Sequence, residues 1–165
     1  MVAITKRQGI RNSHATKKAD TQDSAAELAS LLGRMTADDQ KPIVPTDWLF
    51  AIRKGFSSRA LDSFGQNINA TDAELAKMLG LSVRTLARRR RMLILTPNES
   101  DRLYRLARVV VRAGDVFDHR ANGLVWLRSP NAALGGLTPM SMLDTDIGTE
   151  IVKDLLGRIE YGVFS

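Results

Sequence analysis

Residues 71–91 read TDAELAKMLGLSVRTLARRRR, two short helical patterns joined by a tight turn and closed by the arginine run 88–91. Thr71 and Glu74 stand three apart, the spacing of a capping box, in which each residue satisfies an orphan amide of the other. Leu75, Ala76 and Leu79 give one apolar face at helical spacing. Gly80 falls at C′, where the backbone enters the left-handed region most cheaply in glycine. Ser82 is placed to cap a second helix. The order of caps, small residue, glycine and apolar positions is that of a helix-turn-helix. Ala76 allows a close crossing, and Leu81, Val83 and Leu86 are expected to face inward.

On a 3.6-residue wheel Arg84, Arg88 and Arg91 share an outer stripe, with Thr85 and Arg89 beside it. A helix that docks by one face and shows arginine on the other suits the DNA major groove, where arginine reads guanine edges and neutralises phosphates. Ser82, Arg84, Thr85, Arg88 and Arg89 are the candidates for readout, with Arg90 or Arg91 on phosphate. Arg89, three residues after Leu86, stands where such motifs usually keep an apolar side chain, so the helix is expected to end or turn outward there. The plain alternative is an amphipathic hairpin with a solvated charged face.

Charge is distributed accordingly. The net +6 divides into +2 over residues 1–82, +7 over 83–112 and −3 over 113–165. The positive field is thus focused on the second helix and its successor, as phosphate neutralisation requires, and the acidic C-terminal third is free for another partner. A length of 165 residues with 44% hydrophobic content allows one domain or two small ones. Without cysteine there is no disulfide scaffold or thiolate metal site, which fits a reducing cytoplasm. No apolar run approaches membrane-spanning length, and the basic start lacks a secretory h-region.

The chain divides into a disordered basic arm (1–22), N-terminal helices with a surface for homodimerisation (23–66), the DNA-binding unit (67–112) and a C-terminal unit (113–165). Ser24 and Glu27 suggest a capping box opening a helix to about Met35. Pro42 and Pro45 forbid helix between, and Thr46 or Asp47 caps the next one. Trp48, Leu49, Ile52 and Phe56 follow at helical spacing, and Ser57 or Ser58 caps a helix carrying Ala60, Leu61 and Phe64. Thr96, Pro97 and Glu99 open a long helix to about Phe117. Its inner face is Leu103, Leu106, Ala107 and Val110. Arg102, Arg105, Arg108 and Arg112 form the opposite stripe, facing either the DNA backbone or a protein. Asn122-Gly123 marks a turn, residues 130–136 resist regular structure, and Thr138-Pro139 opens a short helix. Gly148 breaks the chain before a last helix over 149–160 with Ile151, Val152, Leu155, Leu156 and Ile159 on one arc. Tyr161 to Ser165 is an apolar tail that either folds back or anchors a partner.

Nothing assembles into a centre for chemistry. His14 and His119 lie far apart, Asp144 and Asp146 fit a loop–helix cap, and Gly135-Gly136 is too short for a phosphate loop. No cofactor or metal is expected, and the chain is not read as an enzyme.

TLARRR (85–90), ESDRLYRLARV (99–109), WLRSPNAALGG (126–136), TPMSMLDTDIG (138–148) and VKDLLGRIEYGVFS (152–165) resemble the Xre/MbcA/ParS family of bacterial antitoxins, partners of RES-domain toxins in type II toxin–antitoxin systems. Residues 1–45 carry no such match. The resemblance implies an all-α fold with a Cro/repressor-like helix-turn-helix core and a C-terminal toxin-binding domain. It implies dimers, double-stranded operator DNA and autorepression, and a C-terminal end that covers the active site of a toxin that degrades NAD. Gly157, Arg158, Ile159, Glu160, Gly162 and Phe164 match its terminal motif. Around them, Lys153, Asp154, Tyr161, Val163 and Ser165 complete the candidate toxin-binding set, with Arg158 and Glu160 chosen on chemical grounds for a polar cleft. A stand-alone dimeric repressor without a toxin is the competing reading.

Overall fold

The computed structural model describes residues 24–33 and 45–162. The expectations for residues 1–22, for the helix end at Met35, for Pro42, and for Val163, Phe164 and Ser165 lie outside the described residues. The chain is all-α: α1 (residues 24–32), α2 (Pro45–Lys54), α3 (Arg59–Asn67), α4 (Asp72–Met78), α5 (Val83–Arg90), α6 (Pro97–Val116), α7 (Arg120–Arg128), a 3-10 turn (Ala132–Leu134), α8 (Pro139–Met142) and α9 (Asp146–Glu160). Among the described residues, extended pairing is limited to one antiparallel bridge, Ser57 with Ile94, and no helix is long and apolar enough to cross a membrane.

The core gathers on α6. Thr96 accepts from the Glu99 amide while the Glu99 carboxylate accepts from the Thr96 amide, and Pro97 stands at N1. The expected inner face is buried, and so are Val109, Val111, Ala113 and Gly114, because α6 is packed on more than one side. Each fully buried leucine here, such as Leu103 or Leu106, contributes on the order of 1.5–3 kcal/mol of transfer free energy. Trp48, Phe56, Leu61 and Phe64 join the same core, with the Trp48 ring tilted against Tyr104 at 5.1 Å.

Several local expectations are corrected. Ser24 is already helical, and its hydroxyl donates to Asp115 (3.3 Å) rather than capping. α2 opens at Pro45, so Thr46 and Asp47 lie in its first turn, and it ends at Lys54, so Phe56 reaches the core from outside the helix. Ser58 occupies the N-cap of α3 without a side-chain cap. Ser57, the other candidate, does accept from a first-turn amide, that of Arg59 (3.4 Å), and the backbone around both serines is also held by the bridge: the Ser58 amide donates to Leu93 O (3.1 Å) and the Leu95 amide to Phe56 O (2.8 Å). Gly55, at φ +92°, admits that close pass, since a Cβ there would lie 2.3 Å from Leu95 O.

Asn122-Gly123 is not a turn but part of α7, and Gly148 does not break the chain but lies in the first turn of α9, which Thr145 caps. Both glycines mark close backbone approach: a Cβ on Gly123 would sit 2.6 Å from Ala113 C, and one on Gly148 would overlap Met142 O. Residues 130–136 include the 3-10 turn, closed by Gly135 in the left-handed region. Ile151 stays exposed and Ile159 only half-buried, so the inward arc of α9 is Val152, Leu155 and Leu156.

Gly123→Ala is expected to force α7 off α6, because the obstacle is backbone rather than a movable side chain. The cost should be about 1–3 kcal/mol, read as a lowered Tm in thermal unfolding; an unchanged Tm would refute the tight crossing.

Candidate nucleic-acid and protein interfaces

The helix-turn-helix is assembled by local bonds that the sequence specifies. Thr71 and Glu74 form the reciprocal capping box. Gly80, at φ +65°, closes α4 in a Schellman motif: its amide donates to Lys77 O (2.9 Å) and that of Leu81 to Ala76 O (2.8 Å). Ser82 caps α5 by accepting from the Thr85 amide (3.1 Å), and its hydroxyl lies 2.9 Å from that of Thr85. Leu86 is completely buried and seats α5 on the core. Leu81 is half-buried as expected, whereas Val83 is half-exposed at the first turn, where α5 diverges from the core.

The arginines of α5 separate into two groups. Arg84, Arg88 and Arg91 are exposed and, with Thr85 and Ala87, frame a shallow depression of about 440 Å³. Arg89 and Arg90 are engaged internally. Arg89 Nε donates to Glu99 at 2.6 Å, so the charge that occupies an apolar position of the motif is neutralised by the capping box of α6, and α5 continues through it to Arg90. Arg90 donates two bonds to Asp72 (2.7 and 2.8 Å), and its Nε lies 2.7 Å from Asp62. That bidentate bond holds the Asp72 carboxyl below the ordinary carboxylate range.

The arginines of α6 are largely bonded within the chain too. Arg102 Nε donates to Met78 O at the end of α4 (2.8 Å), and its terminal nitrogen donates to Asp144 O. Arg105 meets Asp101 and Asp146, and Arg112 meets Glu160, so α6 grips both ends of α9. Arg108 is exposed over the Tyr104 ring, 5.9 Å from its centre. Arg128 of α7 was not singled out by any sequence pattern. It donates to Glu74 (3.1 Å) and to the carbonyls of Ile68 and Asn69 (3.0 Å each). Its partners lie 54–60 residues away, a separation that no local spacing encodes.

On α9 the candidate partner residues also divide. Lys153 pairs with Glu150 (2.9 Å) and Glu160 with Arg112, whereas Asp154, Arg158 and Tyr161 project into solvent, Tyr161 with 77% of its surface exposed. Gly157 is half-buried, with no atom beyond its chain neighbours and its own helical backbone within 4 Å of where a Cβ would stand, and Gly162 is left-handed at φ +65°.

Residues 47–108 match the antitoxin Xre-like helix-turn-helix domain, and residues 112–162 match the antitoxin Xre/MbcA/ParS C-terminal toxin-binding domain. Antitoxin Xre of Yersinia enterocolitica is 38% identical over 70% of this chain and 79% of its own length. The chain belongs to the Xre/MbcA/ParS antitoxins. A Prs ADP-ribosylating antitoxin of a Sphingobium species is 28% identical over 73% of this chain and 82% of its own. A chain in the crystal structure of the M. tuberculosis MbcT–MbcA toxin–antitoxin complex aligns with 66% of this one and 96% of itself, at 24% identity and a TM-score of 0.47. The protein is thus an antitoxin of a toxin–antitoxin system, with a helix-turn-helix followed by a toxin-binding domain.

The Arg89–Glu99 bond links α5 to the start of α6 and makes this unit acid-sensitive. Burial alone would raise the Glu99 pKa, but the Thr96 amide and the Arg89 guanidinium outweigh it and hold the carboxyl below its ordinary value. A carboxylate depressed on folding stabilises the native state above its unfolded pKa of about 4.3, and that contribution is lost as the pH falls through the folded value. The Tm of the native protein should therefore drop more steeply from about pH 5 to pH 3 than that of Glu99→Gln, which keeps a capping side chain at N3. Parallel Tm profiles would contradict this.

Proposed function

We propose that this antitoxin represses its own operon by reading operator DNA through α5, and that it silences a RES-domain, NAD-degrading toxin by covering the active site with its C-terminal end. The observation that carries the DNA half is the division of the arginine run: Arg84, Arg88 and Arg91 are exposed on one face, while Arg89 and Arg90 are held by carboxylates. Arg84 and Arg88, beside Ser82 and Thr85, read base edges, and Arg91 takes a phosphate. Arg89 and Arg90 set the angle of the helix. Two half-sites require two copies. Phe50, 65% exposed beside Leu49 on α2, offers apolar surface for a homodimer.

The toxin half is supported by the exposed Arg158 and Tyr161 at the end of the toxin-binding domain, a charged donor and an aromatic suited to a nucleotide-shaped cleft. NAD is then the toxin's substrate and no ligand of the antitoxin. ADP-ribosylation, the activity in the name of the Sphingobium relative, also consumes NAD.

Gel-shift titrations on the DNA upstream of the gene test the first half. Arg84→Ala and Arg88→Ala should each cost about 1–3 kcal/mol and relax specificity at one position; a uniform loss on all sequences would demote them to phosphate contacts. The second half is tested by capture from native cells with the full chain and with a chain ending at Glu160, which keeps the Arg112 bond. A captured partner that degrades NAD once released, lost on truncation, is the expected result. If both baits bring down only DNA and further copies of themselves, the protein is a stand-alone repressor.

A further inference from the structure

Toxin contact need not be confined to the tail. α9 already has a complete inward stripe in Val152, Leu155 and Leu156. On its other side Ile147, Ile151, Asp154, Arg158 and Tyr161 follow one another at steps of four, three, four and three residues, all exposed. At 100° per residue they fall within an arc of about 80°. Ile147 is 77% exposed and Ile151 41%, one turn apart, and neither belongs to the core of this chain. Singly exposed apolar side chains need no explanation; two on one helical stripe, leading into a charged pair and then an aromatic, form a graded surface.

Gly157 supplies an independent sign. Glycine inside a helix costs about 1 kcal/mol relative to alanine, and here the space beside its Cα is empty, so no internal packing requires it. On the wheel it borders Asp154 and Tyr161. The helix is also held rigid: Arg105 fixes Asp146 at one end and Arg112 fixes Glu160 at the other, which lowers the ordering cost of binding.

We infer that the exposed length of α9 is a docking face for the toxin, anchored by Ile147 and Ile151 at its start and notched at Gly157, with the tail as its far end. The inference rests on the toxin-binding reading and extends it to residues more than a turn away from the terminal motif. The toxin is chosen as occupant because the face lies wholly within the segment matching the toxin-binding domain, 112–162. It also belongs to the net-acidic third of the sequence, residues 113–165, and not to the arginine-rich segment.

The test uses the full chain carrying Ile147→Asp with Ile151→Gln, both compatible with helix; an acidic residue in the first turn also suits the helix dipole. Binding to the toxin captured by the native chain should weaken by at least about thirtyfold, with Tm, operator binding and the mass of the free antitoxin in light scattering unchanged. Gly157→Ala should raise the Tm while weakening toxin binding, a split that a purely structural glycine would not produce. If the double variant binds toxin like the native chain while the chain ending at Glu160 does not, the docking face is overturned and the tail reading stands. If the double variant instead alters the self-association of the free antitoxin, the face belongs to a second copy and the inference falls. If the native chain captures no toxin, both fall together.

Discussion

A single helix that must bury more than half of its circumference constrains everything else. From Val109 round through Leu106, Leu103 and Ala107 to Val111, the buried residues of α6 span an arc of about 200° at 100° per residue, wider than a one-sided amphipathic helix needs. Its neighbours must cover it from several directions, and the cover comes from both halves of the chain. α2 lays Trp48 against Tyr104, α7 crosses at Gly123, and α9 closes the remaining side with Val152 and Leu156. The helix-turn-helix match ends at residue 108 and the toxin-binding match begins at 112, both within α6. The two halves are therefore joined by continuous helix rather than by a linker.

Arginine does two kinds of work on this scaffold, and exposure tells them apart. Arg89, Arg90, Arg102, Arg105, Arg112 and Arg128 are matched to carboxylates or to backbone carbonyls. The planar guanidinium with several donors suits such forks. Exposed ion pairs contribute little to stability, typically under about 1 kcal/mol, so their main effect is on orientation. Arg90 ties the end of α5 to α3 and α4, and Arg102 ties the end of α4 to the loop before α9. The positive surface left over is smaller than the composition of residues 83–112 suggests, and it is concentrated on one face of α5.

Features that close within a few residues were legible from the chain alone. The capping boxes of Thr71 and Thr96, the Schellman glycine at Gly80 and the caps at Ser82 and Thr138 all formed, because each partner lies within one turn. The family motifs pointed to the same fold and to the toxin-binding domain. What escaped depends on tertiary contact. A glycine permits both a chain reversal and a close approach, and only the neighbour decides; Gly123 and Gly148 are close approaches to Ala113 and Met142, contacts that no sequence pattern marks. The stripe on α6 resembled a free cationic face because Asp144, Asp146 and Glu160 lie 41–48 residues away from their arginines. Caps expected at Ser24 and Thr46 failed where a tertiary bond or a proline claimed the position first, and of the pair Ser57 or Ser58 it is Ser57 that accepts from a first-turn amide.

The link between the halves bears on how a bound partner would be felt at the DNA face. α4 is gripped at both ends by the toxin-binding half: Arg128 reaches the Glu74 capping box and the turn before it, while Arg102 and Lys77 join its far end to residue 144. Leu86 and the Arg90–Asp72 bond in turn hold α5 on the core and on α4. Such a chain of packed and clamped elements transmits a change only if one of them has two discrete arrangements. The glycines at the crossings argue against sliding, because backbone already touches backbone at Gly123 and Gly148. On the proposed reading, a toxin seated on α9 thus influences operator affinity chiefly by fixing how copies of the antitoxin are spaced and oriented. Two helices presented at the half-site separation gain from effective concentration, and the same helices held off register lose it, with no change in the contacts that Arg84 or Arg88 makes.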